Sequence, residues 1–214
     1  MSQSIDLRAI NCPNLKISAL SADGVVEVAL HSERDSLIMN DHVVDQLSFM
    51  FAALNSNELV KAILLTGTGS CFSRTAFVPS TKKLDVSYFE RQRVSNLRLI
   101  DILSRMYIPK IAALNGPVAV GADYLILFDS IYASETVDFV ERPKIAGGLF
   151  LGDEGPGSIV DTARSKLGND PLPGRISAAE MKAWGLIDEI LPAEKLMPYA
   201  RLMAESLASC GMPE

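Results

Sequence analysis

Apolar and polar positions alternate on both sides of a tight turn near the start of the chain. Residues 15–20 alternate, Asp23 and Gly24 follow, and residues 25–31 alternate again. An Asp-Gly pair between two alternating runs is a strong hairpin signal, because glycine readily adopts the positive φ that such a turn requires. The pattern therefore predicts a β-hairpin.

Beyond the hairpin, helical periods alternate with short apolar runs. A period of about 3.6 residues predicts helices, and short apolar runs bounded by turn residues predict buried strands. The predicted helices cover residues 40–54, 88–106, 122–128, 157–167, 177–185 and 194–208, and the predicted strands cover 63–66, 111–114, 131–133 and 187–191. Strands that alternate with helices indicate an α/β domain with largely parallel pairing.

Local signals mark where several helices begin and end. Asn40 is the predicted N-cap of the first helix, and Pro109 follows the end of the second. Ser177 and Glu180 form a capping box, so a helix is predicted to begin there. The apolar side of helix 88–106 is assigned to Val94, Leu97, Ile100, Ile102 and Leu103.

The composition is typical of one globular domain, or of one domain with a helical appendage. The 214 residues are 48% hydrophobic and 21% charged, and the net charge is −6 at pH 7. No block of lysine and arginine stands out, so we expect no nucleic-acid partner. No apolar run approaches the ~20 residues that span a membrane, so no membrane segment is expected.

The three cysteines, Cys12, Cys71 and Cys210, are odd in number and far apart in sequence. This pattern favours neither a disulfide framework nor a cysteine zinc site, and it indicates reduced thiols. The first 15 residues lack the apolar centre of a signal peptide. We therefore expect a cytoplasmic protein that holds no metal and no cofactor.

Two glycine-containing turns carry the candidate chemistry. They lie within residues 67–77 and 115–123, and each follows a predicted buried strand. Two such turns can aim backbone N–H groups into one cleft, an arrangement that stabilises an oxygen that becomes negative during a reaction. The alternative is that both are strand-to-helix turns whose glycines serve backbone geometry alone.

Four segments in this order resemble the enoyl-CoA hydratase/isomerase, or crotonase, superfamily. They are residues 67–77, residues 109–123, residues 129–133 (D-S-I-Y-A) and residues 179–191 (A-E-M-K-A-W-G-L-I-D-E-I-L). The resemblance runs from about Gly24 to Leu191. It implies an α/β fold of the crotonase type: a ββα spiral with two roughly perpendicular sheets over residues 1–192, and a short C-terminal helical segment over residues 193–214.

Carried over residue by residue, the family's two oxyanion-hole amides fall on Ala76 and Gly121. The first of the two glutamates that handle water in the hydratases falls on Asp123 or Tyr124, and the second falls on Lys144. Because a lysine cannot serve as a carboxylate base, the resemblance does not imply simple hydration by the family's usual pair.

A narrower resemblance, to the 6-oxocamphor hydrolase branch, involves residues 30–37, 115–117 and 148–155. That branch cleaves a C–C bond in a cyclic β-diketone and uses no CoA. Its histidine after the hairpin strand matches His31, and its catalytic aspartate matches Asp153.

The two other active-site histidines of that branch are absent, and Gly121 and Lys144 occupy their positions. A pair of Lys144 and Asp153 would therefore replace the histidine–aspartate dyad that activates water. We expect Lys144 to be an ion partner of Asp153, because a cation within about 4–6 Å keeps a carboxylate ionised and lowers its pKa.

The resemblance implies a crotonase-superfamily enzyme, and we expect it to cleave a C–C bond of a β-diketone by a hydrolytic, retro-Claisen step. The substrate is then a small carbonyl compound whose enolate the oxyanion amides hold. Asp153 activates or orients water, and His31 binds or protonates. Two alternatives stay open: an enoyl-CoA hydratase or isomerase that uses Asp153 or Asp123 alone, and a catalytically weak family member that serves as a binding protein or subunit.

Each candidate side chain also has a structural interpretation. Asp153 and Asp123 are both typical of helix caps. Lys144 is typical of a solvated surface, and His31 is typical of a histidine that ends a strand.

The last predicted helix carries an apolar stripe that consists of Leu196, Tyr199, Leu202, Met203 and Leu207. An exposed stripe of this size is unusual in a monomer. We therefore expect a homo-oligomer, a trimer or hexamer, in which this helix contacts another copy.

Overall fold

The computed structural model describes residues 12–18, 20–32, 38–75, 86–118, 122–140 and 175–210. The strands are β1 Leu15–Ile17, β2 Val25–Leu30, β3 Ile38–Met39, β4 Ala62–Gly67, β5 Arg74–Thr75, β6 Lys110–Leu114, β7 Ser130–Ser134, β8 Asp138–Val140, β9 Arg175–Ser177 and β10 Glu189–Leu191. The α-helices are α1 Asp41–Asn55, α2 Val86–Arg105, α3 Ala178–Ala183 and α4 Ala193–Cys210, and a 3₁₀ helix covers Asp123–Leu127. The predicted helix over residues 157–167 lies outside the described residues.

A six-stranded sheet in the order β1-β2-β4-β6-β7-β10 forms the centre of the fold. Only the β1–β2 pair is antiparallel, and the strands from β2 to β10 pair in parallel. Two small sheets accompany it: β3 pairs with β5 in parallel, and β8 pairs with β9 antiparallel. The parallel-dominated sheet with its helices confirms the predicted α/β class.

The predicted hairpin is present, and Gly24 makes its turn possible. Gly24 has a φ of 84°, and its N–H donates to Ser21 O at 3.1 Å. A Cβ at this position would lie 2.8 Å from Leu59 O. Glycine is thus required here both by the left-handed backbone and by the close approach of a neighbouring segment.

The two central strands, β4 and β6, are buried on both faces. Ile63 and Leu65 face the core that α1 and α2 cover, whereas the neighbouring Ala62 and Leu64 face a second core. A strand with helices on both sides needs apolar residues at every position, not at alternate ones. This explains why β4 and β6 read as continuous apolar runs in the sequence.

Helix α4 covers the second face of the sheet in the same chain. Its buried residues are Leu196, Ala200, Ala204 and Ala208. The Tyr199 ring packs edge-on against the Tyr132 ring at 5.1 Å, and Arg201 binds both carboxylate oxygens of Glu27 on β2, at 2.9 and 3.2 Å.

The interpretation of the α4 stripe as an intermolecular surface was therefore wrong. Tyr199, Met203 and Leu207 pack partly buried against the chain's own sheet, and of the five stripe residues only Leu202 is exposed, at 61%. A trimer or hexamer stays a prediction, without support from this helix. The division into residues 1–192 and 193–214 also stays a prediction.

The predicted apolar side of α2 was wrong in its first half. Val94 and Leu97 are 53% and 47% exposed, whereas Leu103 is buried as expected. The helix instead turns Leu99 toward the core, together with the polar pair Ser95 and Asn96, which are 5% exposed each. Because two polar residues occupy buried positions, hydropathy alone could not identify this face.

The helix caps were predicted correctly. The Asn40 side chain accepts a hydrogen bond from Val43 N at 3.0 Å, as an N-cap does. At α3, Ser177 and Glu180 form the reciprocal capping box, which lowers the pKa of the Glu180 carboxyl because Ser177 donates two hydrogen bonds to it. Helix α3 ends two residues before Gly185, which has a φ of 79°.

Replacement of Ala204 by leucine tests the packing of α4 on the sheet. Ala204 is fully buried against the second core, so Ala204→Leu is expected to lower the free energy of unfolding by about 1–3 kcal/mol through overpacking. The matched control Leu202→Ala removes an exposed side chain from the same helix and is expected to change it by less than about 0.5 kcal/mol. Urea unfolding measures both, and equal effects would contradict the packing described.

Candidate functional site

Three neighbouring strands bring the candidate residues to one edge of the sheet. Strands β2, β4 and β6 are parallel neighbours, so their carboxyl ends lie side by side. His31 follows β2, Thr68 follows β4 and Asn115 follows β6. Ligand sites of parallel sheets lie at this edge because loops leave every strand there.

The Asn115 side chain joins the ends of β4 and β6. Its amide oxygen accepts from Gly67 N at 3.2 Å, and its amide nitrogen donates to Gly67 O at 3.0 Å and to Gly69 O at 2.7 Å. One amide thus uses one acceptor and two donors, which only asparagine or glutamine offers. The turn after β4 is therefore held to the end of β6.

Two glycines are required by close contacts at the turns. A Cβ on Gly116 would overlap the Ser70 carbonyl of the first turn, and a Cβ on Gly67 would lie 2.7 Å from both Phe72 Cα and Asn115 Oδ1. Neither glycine has a positive φ. Gly116 is therefore required for close approach of the two backbones, and Gly67 for the tight fold of the first turn against the Asn115 side chain, roles that sequence reasoning did not separate from ordinary turn geometry.

Backbone hydrogen bonds extend this contact in both directions. Ser73 N donates to Pro117 O at 3.2 Å, which ties the first turn to the second. Val118 N donates to Asp138 O at 2.9 Å, and Val118 forms a β-bridge with Phe139, which ties the second turn to β8. Both turns are thus fixed by neighbours that are distant in sequence.

His31 lies at the same edge and contacts Thr68. The Thr68 hydroxyl donates to Leu30 O at 3.0 Å and lies 3.4 Å from His31 Nδ1. Which atom donates in the contact with His31 depends on the tautomer of the ring. Thr68, which follows β4, thus connects the end of β2 with the histidine ring.

Most of the predicted catalytic positions fall outside the described residues. These are Ala76, Gly121, Lys144 and Asp153. Of Asp123, only the backbone is described, and it begins the 3₁₀ helix. The described strand β5 ends one residue before Ala76, and the described chain resumes one residue after Gly121. The junction of the two turns thus holds the segments that lead to both predicted amides.

Tyr124, the alternative to Asp123 at the first glutamate position, is buried in the main core. Its ring packs against Phe128 at 6.3 Å between centroids, and burial raises the pKa of its hydroxyl. Sequence reasoning assigned it no role. It likewise gave no separate role to Asn115, whose only signal is a polar residue directly after a fully buried strand.

The described residues contain no cluster of three or more histidine, cysteine, aspartate or glutamate side chains able to hold a metal ion. The cysteines are free thiols, with Cys12 and Cys71 buried and Cys210 exposed. In the same part of the chain, none of the helices has the length and hydropathy to cross a membrane.

Comparison with known proteins identifies relatives over most of the chain. Residues 21–212 match the family described as enoyl-CoA hydratase/isomerase. The mitochondrial enoyl-CoA hydratase of Pongo abelii is 31% identical over 172 residues, which are 79% of this chain. The chain spans 58% of the length of that relative and 63% of the length of a Thermus thermophilus relative.

Solved structures share the fold. A β-diketone hydrolase from the cyanobacterium Anabaena, ABDH, bound to (S)-3-oxocyclohexyl acetic acid, matches with a TM-score of 0.75 and 22% identity over 93% of this chain and 80% of that one. An enoyl-CoA hydratase from Bacillus anthracis matches with a TM-score of 0.72 and 21% identity over 92% of this chain and 78% of that one. At these identities the likeness concerns the fold alone.

Substitution of Asn115 tests the junction of the two turns. The pH dependence of the stability of the Asn115→Asp variant tests whether the Asn115 side-chain nitrogen is the donor to Gly67 O and Gly69 O. Asn115→Ala removes three hydrogen bonds and is expected to lower the free energy of unfolding by about 2–3 kcal/mol, by the same amount at every pH. Asn115→Asp keeps the acceptor for Gly67 N but turns a carboxylate toward two carbonyl oxygens, so the pKa of the new carboxyl is raised in the folded state.

The direction of the pH dependence follows from the difference between the folded and unfolded pKa values of the new carboxyl. Below the unfolded pKa of about 4 the protonated carboxyl still donates one hydrogen bond, and the Asn115→Asp variant is more stable than the Asn115→Ala variant. As pH rises through the raised folded pKa, this advantage disappears. Urea unfolding at pH values on both sides of about 4 measures the difference, and parallel curves for the two variants would contradict the assigned donors.

Proposed function

Because this chain belongs to the enoyl-CoA hydratase/isomerase family, we propose that it stabilises the enolate oxygen of a carbonyl substrate between the backbone N–H groups of Ala76 and Gly121. The observation that carries the proposal is the junction of the two turns after β4 and β6. An oxyanion hole works only when its donors are positioned before the reaction, so that no reorganisation is needed as charge develops.

The junction of the two turns supports such positioning. Each proposed donor follows a different strand, so the relative position of the two depends on how firmly the turns are joined. Asn115 binds the Gly67 and Gly69 carbonyls of the first turn, Gly116 allows backbone contact, and Ser73 N donates to Pro117 O. This arrangement supports an oxyanion hole more than it supports two independent strand-to-helix turns.

For the reaction, we propose hydrolysis of a C–C bond in a 1,3-dicarbonyl compound. Water adds to one carbonyl carbon, the bond to the central carbon breaks, and the products are a carboxylic acid and an enolate that takes up a proton to become a ketone. Asp153 activates the water, with Lys144 as its ion partner. His31, which lies at the same edge of the sheet and contacts Thr68, binds or protonates the substrate.

A second candidate is hydration or isomerisation of an enoyl-CoA thioester. The identity of 31% to an enoyl-CoA hydratase over 79% of this chain favours it. The lysine at position 144 speaks against it, because the hydratases use a glutamate there, and Asp123 or Asp153 would have to act alone. A binding protein or subunit without turnover is the third candidate.

Two substrates and two matched variants separate these functions. Purified protein is assayed with a cyclic 1,3-diketone and with crotonyl-CoA, each followed by the loss of its ultraviolet absorbance. We expect turnover of the diketone and none of crotonyl-CoA. Asp153→Asn is expected to lower the diketone rate by about 10²–10⁴-fold with unchanged thermal stability, because it removes only the base.

Asp123→Asn is the control, and it is expected to leave the rate nearly unchanged. If Asp153 merely caps a helix, Asp153→Asn instead costs about 1 kcal/mol of stability and leaves turnover normal. Hydration of crotonyl-CoA that depends on Asp123 would establish the second candidate in place of the first. Binding of either compound without turnover would favour the third.

A further inference from the structure

His31 directly follows β2 and has an ordered neighbour on the β4 side. In the central sheet, β2 lies between β1 and β4. The register of β2 and β4 pairs Leu30 with Gly67, so the next residues of the two strands, His31 and Thr68, lie side by side. Thr68 N donates to Leu30 O at 2.9 Å, which extends the ladder by one residue. The strand pairing thus brings Thr68 to the histidine at the site edge.

Thr68 is itself fixed to the candidate site. The Asn115 side chain donates to the carbonyls of the residues before and after it, Gly67 O at 3.0 Å and Gly69 O at 2.7 Å. The Thr68 hydroxyl lies 3.4 Å from His31 Nδ1. The hydroxyl that contacts the histidine ring therefore belongs to a residue whose backbone is held at the junction of the two turns.

The backbone of His31 is held from the β1 side, independently of Thr68. His31 N donates to Asn14 O at 2.8 Å, and Asn14 Nδ2 donates to His31 O at 3.4 Å. Asn14 also exchanges two hydrogen bonds with the side-chain amide of Gln46 on α1, at 3.0 and 3.1 Å. Because these contacts do not involve Thr68, loss of the Thr68 hydroxyl releases the His31 ring and leaves its backbone in place.

We propose that Thr68 is a positioning residue whose hydroxyl holds the His31 ring in a fixed place relative to the two turns. This inference rests on the proposed function, in which His31 binds or protonates the substrate. A histidine ring can rotate about its side-chain bonds, and a misplacement of about 1 Å can cost about 100-fold in rate. Thr68 connects the ring to the turn that Asn115 fixes, so the ring and the junction share one support.

The test compares substitutions at two threonines. Thr68→Val keeps the shape of the side chain and removes the hydroxyl, whereas Thr68→Ser keeps the hydroxyl. The Thr68 hydroxyl donates to Leu30 O at 3.0 Å, and the Thr66 hydroxyl donates to Ala113 O on β6 at 2.9 Å. Thr66→Val is therefore the matched control: both valine variants lose a hydrogen bond to a backbone carbonyl, but Thr68→Val also loses the contact with His31.

The first measurement is the nuclear magnetic resonance spectrum of the histidine rings, recorded at the same pH for every variant. The sequence contains two histidines, His31 and His42, and His42 is exposed on α1, where it serves as an internal reference. In Thr68→Val, the ring nitrogen signals of His31 are expected to shift toward those of His42, because the hydroxyl no longer holds the ring. Thr68→Ser and Thr66→Val are expected to leave these signals in place.

The second measurement is the rate of diketone hydrolysis. Thr68→Val is expected to lower kcat/KM by about 10- to 100-fold, whereas Thr68→Ser recovers most of the wild-type value and Thr66→Val retains it. In a His31→Ala background, Thr68→Val is expected to have no further effect, because the hydroxyl acts through the ring. Urea unfolding is expected to show similarly lowered midpoints for the two valine variants, so that stability alone does not explain the rates.

Unchanged His31 signals in Thr68→Val would overturn the inference, because the ring would then be held without the hydroxyl. Shifted signals with an unchanged rate, or an equal loss of rate in Thr66→Val, would overturn the role of Thr68 in the reaction and leave the proposed function intact. A wild-type protein without turnover of the diketone would instead contradict the proposed function, and the His31 signals would then decide alone whether Thr68 holds the ring. The wild-type assay thus distinguishes the two failures.

Discussion

The hydrogen bonds from the Asn115 side chain to Gly67 and Gly69 join the ends of two neighbouring strands, and the candidate site depends on them. Parallel strands leave the sheet at the same edge, but nothing in their pairing fixes the turns that follow. The Asn115 side-chain amide fixes them by hydrogen bonds to Gly67 and Gly69, and the absence of a Cβ on Gly116 lets the second turn touch the first. The position of the site thus follows from hydrogen bonds that give partners to backbone groups at the ends of the strands.

Local signals in the sequence predicted a large part of the fold. The Asp-Gly hairpin turn, the Asn40 cap and the Ser177 capping box each depend on residues within a few positions of one another, and all three are present. The side of α2 that faces the core was not predictable in this way. Its buried Ser95 and Asn96 look like surface residues in the sequence, and only the position of α1 and the 3₁₀ helix determines that they face inward.

The site was predictable in its position and not in its internal contacts. Buried strands followed by glycine turns indicate a cleft, but the partners of Asn115 lie 46 and 48 residues away, and no local pattern connects them. The same holds for α4, whose apolar stripe is equally consistent with a second copy and with the chain's own sheet. Its small buried residues Ala200 and Ala204, which allow a helix to pack closely, were the signal that favoured the sheet.

The described part of the site edge supplies positioning for the proposed chemistry. The Asn115 amide fixes the turn after β4 to the end of β6, and the Thr68 hydroxyl contacts the His31 ring. Backbone N–H groups of two fixed turns can stabilise a negative oxygen, whereas activation of water also needs a base. For the proposed hydrolysis, Asp153 with Lys144 as its ion partner is the carboxylate that the sequence offers as this base.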